Sequence, residues 1–176
     1  MNPFYLSDAE RATINQLKRD GKTLVWFYAP GYVSDDGLDV AGIREMTGMN
    51  IQQKSVPKEQ RQMQVGSETH PLTAGLEKST FTPYGYAGIT ETSPVFYVDD
   101  AKAQPLALYP DGKTAWAACD FSDWKSIYSA VPLLNTQAFR NIAKYAGVHL
   151  YVDEDIVMGA DNRFLMLTNG YEKKRV

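Results

Sequence analysis

The sequence predicts an α/β domain with an antiparallel patch. Three observations predict it: an unbroken apolar and β-branched run near the N-terminus, helical spacing on either side of that run, and short strands joined by turns farther along. Residues 7–20 read as a helix. Ser7-Asp8-Ala9-Glu10 fits a capping box, with Ser7 accepting from a free backbone N–H while Glu10 reaches back, and Gly21 supplies a left-handed stop. Thr23-Leu24-Val25-Trp26-Phe27-Tyr28 has the composition of a strand buried on both faces, as in a parallel sheet covered by helices. Ala29-Pro30-Gly31-Tyr32 breaks it, and Asp35-Asp36-Gly37 extends the loop.

Val40, Ile43 and Met46 recur every three residues before Gly48, so 39–47 is a second helix. Residues 52–66 are polar and predict a solvated excursion or an edge hairpin. Four strands follow at 94–98, 105–109, 113–121 and 125–130, with Asp111-Gly112 as the hairpin turn between the second and third. Asn135 caps a third helix that carries Ala138, Phe139, Ile142, Ala143 and Ala146 on one face; Gly147 ends it, and 148–152 reads as another strand. Segments 156–159 and 163–168 read as a final hairpin around Ala160-Asp161-Asn162. No strand precedes the first helix, and no cap or turn closes 172–176, so the pattern predicts a chain cut from something longer.

Composition bounds the function. At 176 residues the chain is one domain's worth, and it is too short for a complete (β/α)8 barrel of roughly 250 residues. Lys and Arg number 18 against 21 Asp and Glu, a net charge of −3, which argues against nucleic-acid binding and against a polybasic membrane anchor. One cysteine excludes an internal disulfide framework and a multi-cysteine zinc site, and with two histidines no metal centre is expected. No apolar run approaches the roughly 20 residues of a membrane-spanning helix, and the start lacks a signal peptide's basic region and long apolar segment. The expectation is a soluble chain without cofactor; its compartment stays open.

The junction Tyr28-Ala29-Pro30-Gly31-Tyr32 is the informative site, because several α/β enzyme families place a nucleophilic Ser or Cys on such a turn. Ala29, Pro30 and Gly31 offer no attacking group, so no catalytic residue is assigned. Ala29, Pro30, Gly31, Tyr32, Asp35 and Asp36 are instead expected to form a loop facing a ligand or partner, since open α/β sheets bind at the carboxyl ends of their strands. Cys119 lies in an apolar strand with no basic neighbour and reads as buried. His70, before Pro71, reads as the residue that fixes a turn, and His149 as a structural histidine at a strand start. The pairs Asp35-Asp36 and Asp99-Asp100 and the run Asp153-Glu154-Asp155 lack calcium-loop spacing and read as solvated loops. Tyr84, Tyr86, Trp116, Trp124 and Tyr128 raise the alternative of a sugar-stacking platform, against the plainer expectation of sheet core.

Three stretches carry a family resemblance. The run from Gly21 to Tyr32, GKTLVWFYAPGY, resembles a segment of the glutamine-amidotransferase-like, or trimerisation, domain of large bacterial β-galactosidase-type glycoside hydrolases. His70-Pro71-Leu72-Thr73-Ala74-Gly75-Leu76 is similar to an element of amidotransferase-like domains, and SIYSAVP at 126–132 with FRNIAKYAGV at 139–148 resembles that domain's closing strand and helix. The resemblance implies a flavodoxin-like three-layer sandwich over residues 1–152, without its first βα unit. Residues 153–176 would open a small C-terminal β domain. Amidotransferases present a Cys on the elbow served by a His and an acid; Ala29-Pro30-Gly31 stands there, so the chemistry is not carried over.

The function implied is a non-catalytic accessory or oligomerisation domain of a β-galactosidase-like protein of carbohydrate metabolism. Its partners would be further copies or neighbouring domains, with carbohydrate as a further partner. A small hydrolase or transferase with an unrecognised site, and a sugar-binding module, are the alternatives.

Overall fold

The computed structural model describes residues 3–66, 70–83, 93–132, 134–153 and 156–168. Its helices are α1 (Asp8–Asn15), α2 (Val40–Thr47) and α3 (Thr136–Tyr145). Its strands are β1 (Lys22–Phe27), β2 (Val33–Ser34), β3 (Gly37–Leu38), β4 (Ile51–Lys54), β5 (Met63–Val65), β6 (Thr80–Phe81), β7 (Val95–Val98), β8 (Gln104–Leu108), β9 (Thr114–Asp120), β10 (Trp124–Ser129), β11 (Val157–Ala160) and β12 (Leu165–Thr168). Single 3-10 turns occur at Lys58–Gln60 and Pro71–Thr73.

Eight strands form one curled, mixed sheet in the order β1-β10-β9-β8-β5-β6, with β7 and β4 branching from β9. Only β1 and β10 run parallel; every other pairing in this sheet is antiparallel. The branch follows from register. β10 pairs with β9 from Asp120 to Trp116, and at Thr114 the partners are Val98 of β7 and Leu108 of β8. β1 closes the order with one paired neighbour, so the run read as a two-sided buried strand is an edge strand, half-buried from Thr23 to Phe27 except at the buried Trp26, with Tyr28 buried just beyond it.

Alternation decides what covers each face at this end. Ser126 Oγ donates to the Thr47 carbonyl of α2 at 2.7 Å, while its neighbour Lys125 places Nζ over the ring of Tyr145 in α3 and Phe27 meets Phe139 of α3. Successive strand residues point to opposite faces, so α2 and α3 sandwich the β1–β10 pair. The core runs from Ile43, Met46 and Ile51 through Phe96, Trp116 and Tyr128 to Met63 and Leu72. Inside it the indole N–H groups of Trp26 and Trp116 lack a hydrogen-bond partner, a cost of about 1–3 kcal/mol each that the surrounding ring packing must offset.

Several expectations are corrected. α1 stops at Asn15 rather than 20, although Ser7 and Glu10 make the capping box and Gly21 has φ +69; α1 buries no residue, so no packing extends it. Residues 52–66 are not a solvated excursion: β4 pairs with β7, and β5 lies between β6 and β8 with Met63 and Val65 in the core. On α3 the inward residues are Ala138, Asn141 and Ile142, whereas Phe139 is 48% exposed. Residues 148–152, read as a strand, form none. The final hairpin is present as β11–β12. No helix among the described residues is long and apolar enough to cross a membrane.

Candidate functional site

At the carboxyl end of β1 the backbone turns sharply at Tyr28, which holds φ +60, a costly value for a bulky side chain. Three hydrogen bonds hold it there. Its N–H donates to the Ser129 carbonyl at 2.8 Å, its carbonyl accepts from the Tyr128 hydroxyl at 2.6 Å, and its own hydroxyl donates to the Pro94 carbonyl at 2.8 Å. Its ring meets Phe4 and Phe96 edge-on. Burial pushes the Tyr28 phenol up to about 12, with Tyr32 adding to the rise and Arg61 opposing it; burial also holds the Tyr109 and Tyr128 phenols far above their ordinary value. These phenols are neutral at physiological pH and supply neither a base nor a nucleophile.

Ala29, Pro30 and Gly31 are buried. Gly31 has φ +69, and its carbonyl accepts from Arg11 Nη2 at 2.8 Å. It lies so close to α2 that a Cβ on Gly42 would stand 1.8 Å from Gly31 O. The turn is therefore a packing element against α1 and α2, and the surface part of the loop starts at Tyr32. The half-buried Tyr32 ring packs on Phe96, and its hydroxyl donates to Gln53 Oε1 at 3.0 Å. Beyond it β2 and β3 form a miniature hairpin with Asp35 and Asp36 exposed at its tip; Asp35 Oδ1 accepts from the Tyr5 hydroxyl at 3.0 Å.

The remaining candidates separate cleanly. Cys119 is buried on β9, and burial raises its thiol, with Asp100 and Asp120 adding to the effect. His70 caps the 71–73 turn, its Nδ1 accepting from the Leu72 N–H at 3.1 Å, as a turn-fixing residue should. His149 is exposed and packs edge-on against Tyr151, not at a strand start. Asp100 caps the turn after β7 by accepting from the Asn50 and Lys102 N–H groups, and Asp153 pairs with Lys144 at 2.6 Å; Glu154 and Asp155 lie outside the described residues. Among the described residues no group of His, Cys, Asp and Glu could hold a metal ion. Trp116 and Tyr128 are fully buried, and Trp124 stacks on Phe121 beneath Lys18, so these rings form no stacking platform; Tyr84 and Tyr86 lie outside the described residues.

Sequence reasoning missed Arg11, Gly42 and Gln53, which anchor the loop. Gly42 left a signal: a glycine inside a helix lowers helix stability and marks a close approach.

No protein-family model and no curated protein matches the chain. Solved structures do. The β-galactosidase from Bacillus circulans sp. alkalophilus superposes with a TM-score of 0.59 at 16% identity, covering 88% of this chain and 23% of that one. The β-galactosidase of the Antarctic haloarchaeon Halorubrum lacusprofundi gives 0.59 at 14%, covering 90% and 23%. A catalytic mutant of a GH42 β-galactosidase from G. stearothermophilus gives 0.56 at 14%, covering 88% and 22%. The chain thus shares the fold of a part of these enzymes and spans less than a quarter of their length. An archaeal enzyme among them carries the likeness beyond bacteria.

Proposed function

We propose that the chain is a non-catalytic accessory domain of a glycoside-hydrolase-like protein, built on an amidotransferase-like, flavodoxin-related sandwich and serving assembly with neighbouring domains or further copies. The observation that carries the reading is the occupant of the strand-end bend. Where the resemblance would place an amidotransferase's cysteine stand Ala29, Pro30 and Gly31, none with an attacking group, and Tyr28 just before them takes the left-handed backbone position, its proton held by burial and its hydroxyl donating to the Pro94 carbonyl. Cys119 and His70 sit in other places and in structural roles. The three-layer packing of α2 and α3 about β1–β10 supports the sandwich, and the β-galactosidase neighbours support the glycoside-hydrolase connection. The Asp35–Asp36 tip is the part of the loop available to a partner, and β11–β12 is the opening hairpin of a following β domain.

The test is turnover. The purified chain is assayed on aryl β-galactosides and on glutamine, beside a Cys119→Ser variant. No turnover is expected from either protein. Hydrolysis of either substrate by the chain would overturn the reading, and its loss in the variant would locate the nucleophile at Cys119.

A further inference from the structure

We propose that the groove on the outer face of the β5–β6–β8 corner binds a neutral polyhydroxylated ligand, a di- or oligosaccharide. The floor of the groove follows from register. Gln64 stands opposite Thr80 of β6 and Leu108 of β8, and all three are exposed, while Met63, Phe81, Val65 and Ala107 in the adjacent registers point into the core. Side chains opposite one another share a face, so an amide, a hydroxyl and an aliphatic group lie in a row about 10 Å across, two strand spacings. Residues of the 109–112 turn, with Gln62 and Gly66, complete the lining of this open groove, whose volume is about 540 Å³, within the roughly 300–1,000 Å³ of small-molecule sites. β8 carries register shifts on either side of Ala107, and bulges of this kind re-aim side chains beside binding sites.

The lining sets the chemistry. None of the described residues that line the groove carries a charge. Asp111, within the 109–112 turn, is engaged elsewhere: it accepts from Lys54 Nζ at 2.7 Å and from the Lys113 N–H at 3.2 Å, and Lys54 lies 4.2 Å from the Tyr109 ring centroid. An ionic ligand would be desolvated there without a counter-charge. Gln62 and Gln64 bring primary amides, which carry both donor and acceptor capacity and can meet vicinal hydroxyls, and the Gln64 Nε2 also donates to the Lys78 carbonyl at 3.5 Å. Leu108 and Pro110 offer apolar contact to the C–H face of a sugar ring. The inference is independent of the accessory reading, since a non-catalytic chain is compatible with the groove whether empty or filled.

The isotopically labelled full chain is titrated with lactose, cellobiose and maltotriose, and with digalacturonate as an anionic control, while amide resonances are followed. At least one neutral saccharide is expected to shift the side-chain amides of Gln62 and Gln64 and the backbone of Gly66 and Gly112; digalacturonate is not. Gln64→Leu with Thr80→Val removes polar groups from an exposed face and should weaken binding about tenfold or more; Gln62→Leu is the second variant should the pair disturb folding. Three results would each overturn the proposal: no neutral saccharide moving these resonances, shifts only elsewhere on the chain, or equal binding of digalacturonate.

Discussion

The imidazole of His70 accepts at Nδ1 from the Leu72 N–H and lies 6.0 Å from the Tyr145 ring centroid. A protonated Nδ1 cannot accept, so the cap requires the neutral ring. Burial lowers the His70 pKa, opposed by the charge of Asp120, whose carboxylate also receives the Tyr145 hydroxyl at 2.8 Å. The sign follows from linkage: with the folded value below the unfolded one, the unfolded chain binds more protons, and stability rises with pH. The contribution is complete above the unfolded value of about 6.5 and is lost as pH falls through the folded value. Carboxylates act in a more acidic window: the pKa of Asp100 is lowered by hydrogen bonds from the Asn50 and Lys102 N–H groups, and that of Asp111, against the opposing effect of burial, by the Lys54 ammonium and the Lys113 N–H. His70→Asn keeps a capping acceptor without a titrating group. Its denaturation midpoint is expected to vary less than the parent's just below pH 6.5. Equal slopes would mean that His70 does not titrate with folding.

α3 docks through a polar residue rather than through its most apolar one. Asn141 is buried, and its Nδ2 donates to the Leu72 carbonyl at 3.1 Å and the Ala74 carbonyl at 2.9 Å, while its Oδ1 accepts from Gln137. Asn141→Leu strands two carbonyls against an apolar side chain and is expected to cost about 2–3 kcal/mol; Phe139→Ala, on the exposed face, should cost under about 1 kcal/mol. Chemical denaturation of the two variants compares them directly, and a larger loss from Phe139 would reverse the assignment of faces. The comparison also marks what the sequence could tell. Caps and turns were legible, because Asn135 and Gly48 act on neighbours a few residues away, as does the Asp111-Gly112 turn. β5 was hidden because a half-buried strand shows its polar face: Gln62 and Gln64 mask the alternation of Met63 with Val65. Val148 and Tyr151 have strand-like character yet pair with no strand and stay exposed, and β-propensity counts only against a partner strand. At the candidate site, the length of the loop was legible, whereas the close packing of Gly31 against Gly42 is a contact that spacing does not reveal.

At the scale of the molecule, surface is the telling quantity. Apolar exposure is concentrated at one end: eight of the fourteen large apolar side chains exposed among the described residues fall between 148 and 167, with Phe164 at 75% and Val157 at 69%. The register of β11–β12 puts Met158 opposite Leu167 and Ala160 opposite Leu165, so one face of the hairpin is wholly apolar. The hairpin has no strand pairing with the main sheet, and an isolated two-stranded hairpin is marginal in water. Uncovered, such a face drives association through the hydrophobic effect. The isolated chain is therefore expected to self-associate, with a mass by sedimentation that rises with concentration. Leu165→Lys combined with Leu167→Glu charges that face while leaving the eight-stranded sheet untouched, and should return the chain to a monomer with an unchanged melting temperature. A parent chain that sediments as a monodisperse monomer, or a doubly charged variant that associates as strongly as the parent, would show that this face is not the one that needs a partner.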